Sequence, residues 1–211
     1  GLSAGIYGQQ MGFQTSIFEA HTRPGGQCTS WKRQGYTFDA CLHHLGAGSG
    51  RTKFDAFWRE VGVLPCEMVP TKEVASVVAP DGKIFHDYYD LVELEAHLKE
   101  LSPRDADLID QYLEGIRFFQ QNDRFSDLLL GTIWQKLTYL PTFLRHRAYF
   151  ENSLESFGEK FKDPFLRQAF PLLHSSLKQF PLFMHLVKHG YALQGDLGWP
   201  QGGSKTVAEN M

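Results

Sequence analysis

Little in this sequence points to a secreted scaffold, a membrane span or a nucleic-acid binder. Three cysteines, Cys28, Cys41 and Cys66, are spread through 211 residues without a Cys-x-x-Cys pair. An odd, sparse count in a chain of this length predicts reduced thiols in a cytosol-like compartment, not a disulfide framework. No run reaches eighteen apolar residues and no basic stretch leads into an apolar one, so neither a transmembrane helix nor a secretory signal is predicted. The 24 acidic and 21 basic residues are interspersed and leave a net charge of −3, which offers no footprint for a polyanion; no nucleic-acid partner is expected. There is no internal repeat and no low-complexity tract. Gly202-Gly203-Ser204-Lys205-Thr206 has a serine between glycine and lysine, so it is not read as the phosphate loop of an NTPase. Adjacent His43 and His44 would point to opposite faces of a strand, and no cysteine or carboxylate stands at structural-zinc spacing, so no metal site is expected.

What is present begins at the first residue. Gly1-Leu2-Ser3-Ala4-Gly5 reads as the second half of a glycine-rich dinucleotide loop opening a helix, whose free backbone amides and dipole suit a pyrophosphate. Ser3, Ala4, Gly5 and Gly8 would let that helix, over Leu2 to Gly12, pack closely on a sheet. Phe13 to Phe18 then reads as a short buried strand ending on Glu19. An acidic residue at the tip of the second strand, about twenty residues past the glycine turn, is placed to hydrogen-bond a ribose. Pro24-Gly25-Gly26 follows, where glycine permits positive φ and close approach of a ligand.

Further along, residues 19–50 are rich in glycine and polar side chains and read as loop with short strands, including Tyr36-Thr37-Phe38. Phe54, Phe57, Trp58 and Val61 stand at helical spacing before Gly62. Residues 73–78 and 83–86 flank Asp81-Gly82, a hairpin signal. Asp90 is predicted to cap a helix whose face carries Leu91, Leu94, Leu98 and Leu101, and Ser102-Pro103 to start the next. Residues 125–188 are predicted to be mostly helical, broken near Pro141, Pro164, Pro171 and Pro181. The apolar run Leu128-Leu129-Leu130, Trp134, Leu137, Tyr139, Leu140, Phe143 and Leu144, with Lys136, Arg145 and Arg147, has the composition of a bilayer-surface helix. Core packing is the preferred expectation there, because Pro141 interrupts a long amphipathic face.

Three groups of residues together carry a resemblance: Phe18-Glu19-Ala20 with Pro24-Gly25-Gly26-Gln27, then Gly35-Tyr36-Thr37-Phe38-Asp39 with His43, and finally Trp199-Pro200-Gln201-Gly202-Gly203-Ser204. The chain resembles the FAD-dependent phytoene desaturase, carotenoid isomerase and retinol saturase family, within the amine-oxidase-like flavoproteins. Its specific motifs cover about fifty positions at the start and ten at the end. The resemblance implies FAD contacts at Gly1, Glu19, Ala20, Gly25, Gly26, Gln27 and His43: Gly1 at the diphosphate, Glu19 at the adenosine ribose, and Gly25-Gly26 beside the diphosphate and ribityl chain. It also implies His43 near the isoalloxazine or substrate. Two positions depart from the family pattern. Gln27 stands where Arg or Lys is common, and Cys41 where Gly is usual.

The resulting expectation is an α/β chain with a Rossmann-like FAD-binding fold missing its first strand and an inserted α+β substrate domain. Residues 1–72 would be the partial FAD-binding domain, 73–194 the substrate-side domain, and 195–211 a Gly-rich return into an unfinished helix. Both ends read as cuts, and the 211 residues alone are expected to hold FAD weakly and to be inactive. The parent is expected to be a cytoplasmic, FAD-dependent oxidoreductase or isomerase acting on a hydrophobic polyene, with peripheral membrane contact as an option and no catalytic side chain assigned. Two alternatives stand beside it: an amine-oxidase-like flavoenzyme with a polar substrate, and a non-catalytic prenyl- or lipid-binding module of similar fold.

Overall fold

The computed structural model describes residues 1–40, 42, 44–46, 50, 52–121, 131–174 and 177–211. Cys41, His43 and the Leu128-Leu129-Leu130 run therefore lie outside the described residues. The chain divides into two compact units, one made of Gly1–Pro70 and Gly195–Met211 and the other of Thr71–Gln194. Both helices and strands are present, and the three sheets among the described residues are two-stranded and antiparallel.

In the first unit, helix α1 spans Leu2–Gln10 with Gly1 as its N-cap. Gly12 adopts φ 87°, the chain reverses, and the Phe13 amide donates to the Gly8 carbonyl at 2.9 Å. The returning segment lies along α1 because two glycines leave room for it. A Cβ on Gly5 would stand 2.5 Å from Ile17 Cδ1, and one on Gly8 2.7 Å from Thr15 Cγ2. The buried strand expected over residues 13–18 does not form. No described strand pairs with it, and Phe13 and Phe18 are 67% and 94% exposed. An apolar strand is buried only when ladder partners and cover on both faces are supplied, and α1 covers one side.

Strands β1 (Ser30–Arg33) and β2 (Tyr36–Asp39) make a hairpin through Gln34 and Gly35, both at positive φ as a two-residue primed turn requires. Helix α2 (Lys53–Glu60) starts in a capping box: the Asp55 amide donates to Thr52 Oγ1 at 3.1 Å and the Thr52 amide to Asp55 Oδ2 at 3.2 Å. Its C-terminus leads to buried Val61, Val63 and Leu64, which pack with Leu45 and Val207 as this unit's core. Strand β3 (Met68–Val69) pairs with β6 (Trp199–Pro200), and helix α10 (Ser204–Asn210) closes the unit.

The second unit opens with the hairpin of β4 (Glu73–Val78) and β5 (Ile84–Tyr88), turned at Gly82 with φ 88°. Helix α3 (Leu91–Leu101) is capped by Asp90 Oδ1, which accepts from the Val92 and Glu93 amides at 2.8 and 3.0 Å. A 3₁₀ turn at Pro103–Asp105 leads into α4 (Ala106–Gln121). Next come α5 (Ile133–Arg145), α6 (Arg147–Glu151), α7 (Leu154–Gly158), α8 (Pro164–Ala169) and α9 (Leu182–Leu193). One continuous core joins Phe85, Leu94, Leu98, Ile109, Leu113 and Ile116 to Leu154, Phe157, Phe170 and Leu186.

Proline acts here according to position. Pro164 sits in the first turn of α8, and Pro181 is the N-cap of α9, where a missing N–H is harmless. Pro141 does not break its helix, contrary to expectation; α5 runs through it. The Leu137 carbonyl loses its intrahelical donor at that point, but Leu137 is 52% exposed and water can serve it. Core packing of the same run is also overturned. Among its described members Tyr139 is buried, whereas Trp134, Leu140 and Leu144 are exposed along with Leu137.

Candidate functional site: the amino end of the first helix and its flanking glycines

The first unit sets Gly1 at the amino end of α1 with Ile17 of the returning segment beside it. The helix begins at Gly1, whose carbonyl accepts from the Gly5 amide at 2.9 Å, so the preceding amides have no intrahelical acceptor. Gly1 has no side chain in front of those donors, and the nearest atom to its absent Cβ is Ile17 Cγ2 at 3.7 Å. Because the returning segment runs back along the helix with Thr15 beside Gly8 and Ile17 beside Gly5 and Gly1, Glu19 falls just past the amino end. Its Oε1 accepts from the His21 amide at 2.9 Å. That bond orients the exposed carboxylate and leaves Oε2 for a second donor. Ala20 and Gln27 are exposed on the same loop.

Gly25 and Gly26 differ in role. Gly25, at φ 107°, has Ala208 Cβ only 2.5 Å from where its Cβ would be, and Cys28 O at 2.8 Å. It is the point where the loop meets α10. Gly26, at φ 60°, has nothing within 4 Å of its absent Cβ, so its backbone is open to an approaching group. His43 lies outside the described residues. Its neighbour His44 packs its ring against Trp199, centroids 5.1 Å apart.

A clamp missed by sequence reasoning ties the two motif-bearing segments together. Both Asp39 carboxylate oxygens accept from the Ser204 amide, at 2.9 and 3.0 Å. The Ser204 hydroxyl donates to the Ala40 carbonyl at 2.7 Å and accepts from the Leu42 amide at 3.3 Å. Gly203, at φ 78°, could carry no side chain there, since its Cβ would lie 2.8 Å from the Asp39 carboxylate. Asp39 and the Gly-Gly-Ser return are thus parts of one joint, 165 residues apart along the chain. The only signal in the sequence was that both occur in motif-like runs. Beside the joint is an open cleft of about 590 Å³, lined among others by Ser30, Lys32, Thr37, Trp199, Gly202 and Lys205. On the other side of α1, the Tyr7 hydroxyl donates to Glu60 Oε2 at 2.8 Å, and this bond pushes the phenol's pKa up.

A helix amino end freed of side chains, a carboxylate beyond it and an open left-handed glycine are features that dinucleotide-binding units use. Comparison with known families agrees: residues 1–61 match the NAD(P)-binding Rossmann-like domain. The similarity to phytoene desaturases and retinol reductases covers the whole chain. A lycopene-forming phytoene desaturase of Paracoccus sp. is 26% identical over 100% of this chain and 43% of its own length. One from Pseudescherichia vulneris is 26% identical over 100% of this chain and 44% of its own length. The all-trans-retinol 13,14-reductase of Macaca fascicularis is 23% identical over 99% of this chain and 36% of its own length. The chain thus spans less than half the length of these relatives. Among the described residues, no helix is long and apolar enough to cross a membrane.

Proposed function

We propose that this chain is part of an FAD-dependent oxidoreductase or isomerase whose substrate is a hydrophobic polyene of the carotenoid or retinoid type. The observation that carries this reading is the similarity of the entire chain to enzymes named for phytoene and for all-trans-retinol. Both are long apolar molecules with conjugated double bonds, and one enzyme introduces unsaturation where the other removes it. A flavin supplies the hydride or electron transfer common to both directions.

The residues present fit such a cofactor. The free amides at Gly1 and the first turn of α1 would receive the diphosphate. Glu19 would accept a ribose hydroxyl on Oε2 while His21 holds Oε1. Gly26 would let the backbone approach the diphosphate and ribityl chain, with Gly25 anchoring the loop on α10. Ala20, Gln27 and His43 complete the set proposed to face the cofactor. Thr71–Gln194 is proposed as the inserted substrate-side domain, and an apolar substrate implies contact with the lipid phase in which it dissolves.

The test is flavin content of the full-length protein. Losing a hydrogen bond to a charged group costs about 1.5–3 kcal/mol, so Glu19→Ala should weaken FAD binding about 10- to 100-fold, read from flavin absorbance after gel filtration. Unchanged flavin content in a normally folded Glu19→Ala protein would remove Glu19 from the site. Anaerobic mixing separates the substrate classes. Flavin bleached by an amine and unaffected by carotenoid or retinoid would overturn the polyene reading.

A further inference from the structure

Four fully buried side chains of the second unit, none of them in the motifs that carry the family resemblance, converge at one point. His185 and His189 stand one helical turn apart on α9, so both imidazoles leave the same face. Opposite them are Asp87 on β5 and Tyr112 on α4, and all four residues have 0% exposure. Asp87 Oδ2 lies 3.2 Å from His185 Nε2 and 3.1 Å from His189 Nε2. The Tyr112 hydroxyl lies 3.1 Å from Asp87 Oδ1, 2.7 Å from His185 Nε2 and 3.4 Å from His189 Nε2. Asp87, His185 and His189 each offer a ligand atom, all within 4.8 Å of one another.

The separations from Asp87 and Tyr112 run from 2.7 to 3.4 Å, with Oδ2 of Asp87 facing both histidines and Oδ1 facing Tyr112. Four ligands at zinc bond lengths of about 2.0–2.2 Å stand about 3.3–3.6 Å apart, so most of these separations need to widen by only a few tenths of an ångström. Each Nε2 faces two oxygens, the Tyr112 hydroxyl and Asp87 Oδ2. A cation held between the two imidazoles and the carboxylate would be met by one ligand atom from each of Asp87, His185 and His189. Outside the four, His174 Nε2 is 3.1 Å from His185 Nδ1, the outer hydrogen bond that fixes the ring of a metal-ligating histidine.

We propose that Asp87, His185 and His189, with Tyr112 at the fourth corner, form a buried zinc site that locks β5, α4 and α9 together. Two neutral imidazoles, a carboxylate and a phenolate sum to −2, which cancels a divalent cation and leaves no net charge in a fully buried place. The phenolic proton leaves to solvent as the Zn–O bond forms. A set of two nitrogens and two oxygens in tetrahedral array suits zinc, whereas calcium and magnesium need six or more oxygens. Full burial makes this a structural site, independent of the cofactor reading above.

The experiment uses full-length protein stripped with chelator and titrated with Zn²⁺ or Co²⁺ alone. One tightly held equivalent of zinc, a visible cobalt spectrum of tetrahedral type and a higher melting temperature with zinc are expected. His189→Gln should weaken metal binding more than the 10- to 100-fold typical of losing an outer-shell partner. Tyr112→Phe, which keeps the ring packing, should retain the histidine ligation and shift the cobalt spectrum. Stripped wild-type protein that keeps its far-ultraviolet dichroism yet takes up no stoichiometric metal would overturn the proposal, as would a cobalt spectrum unchanged in His189→Gln. Should His189→Gln fail to fold, the wild-type titration and Tyr112→Phe decide.

Discussion

Single carboxylates hold distant parts of this chain together through backbone amides. Asp39 does so for Ser204, and Asp105 does so in the second unit. Asp105 is 4% exposed and accepts from the Lys162 amide at 2.9 Å, the Asp163 amide at 3.0 Å and the Ser102 hydroxyl at 2.7 Å. Burial works against the charged form, but these donors and the nearby Lys162 prevail and hold the Asp105 carboxyl below the usual carboxylate range. A depressed folded-state pKa contributes stability that is present above the unfolded value near 4 and is lost as the pH falls through the folded value. Asp105→Ala should therefore cost about 2 kcal/mol or more at pH 6, from the amides left unpaired, and the gap to wild type should shrink below about pH 4. Urea midpoints at pH 6 and pH 3 measure it; a gap that widens in acid would show the sign to be wrong. Neither aspartate's distant amide partners were readable in the sequence. An N-cap is local and has a spacing, as at Thr52 and Asp90, but a carboxylate reaching 57 or 165 residues has none.

Elements show where small residues are obligatory. Gly190 lies in α9 where its Cβ would meet the α4 backbone, 2.8 Å from the Gln120 amide nitrogen and 3.0 Å from the Phe119 carbonyl carbon. Propensity alone favours alanine over glycine in a helix by about 1 kcal/mol. Here the obstruction is backbone, which cannot swing aside, and overpacking of that kind costs about 1–3 kcal/mol. Gly190→Ala should thus lower the melting temperature; a rise would mean that α4 and α9 part easily. The same close approach carries His185 and His189 to Tyr112, so the substitution should also disturb the buried cluster. Helix starts with Ser, Thr or Asp caps, the Asp-Gly hairpin and the Leu-rich face of α3 were legible, because each is a local pattern with a fixed period. The His-x-x-x-His spacing on α9 was not singled out, and it gains its meaning only because Asp87 and Tyr112 arrive from other elements.

At the scale of the chain, much apolar surface stands in water. Phe13, Ile17 and Phe18 in the first unit and Ile133, Trp134, Leu137, Leu140 and Leu144 in the second are each at least half exposed. The last five recur at helical spacing along α5, a continuous stripe of the sort monomeric proteins seldom expose. With a net charge of only −3 there is little repulsion to oppose contact. Dilute protein should therefore self-associate as concentration rises, and Leu137→Glu with Leu144→Glu should reduce this in light scattering. A monodisperse wild-type monomer at high concentration would contradict it.

Sequence alone determined the glycine-loop character of the start, the family likeness, the hairpin at Asp81-Gly82 and the first few helices. These depend on glycine, caps and periodicity, which act over a few residues. Tertiary structure alone decided that Gly25 serves helix packing while Gly26 stays open, that Asp39 and Ser204 form one joint, that residues 13–18 are uncovered, and that Asp87, Tyr112, His185 and His189 meet. Each of those outcomes depends on which distant chain segments arrive at the same place, and no spacing within a local window encodes that.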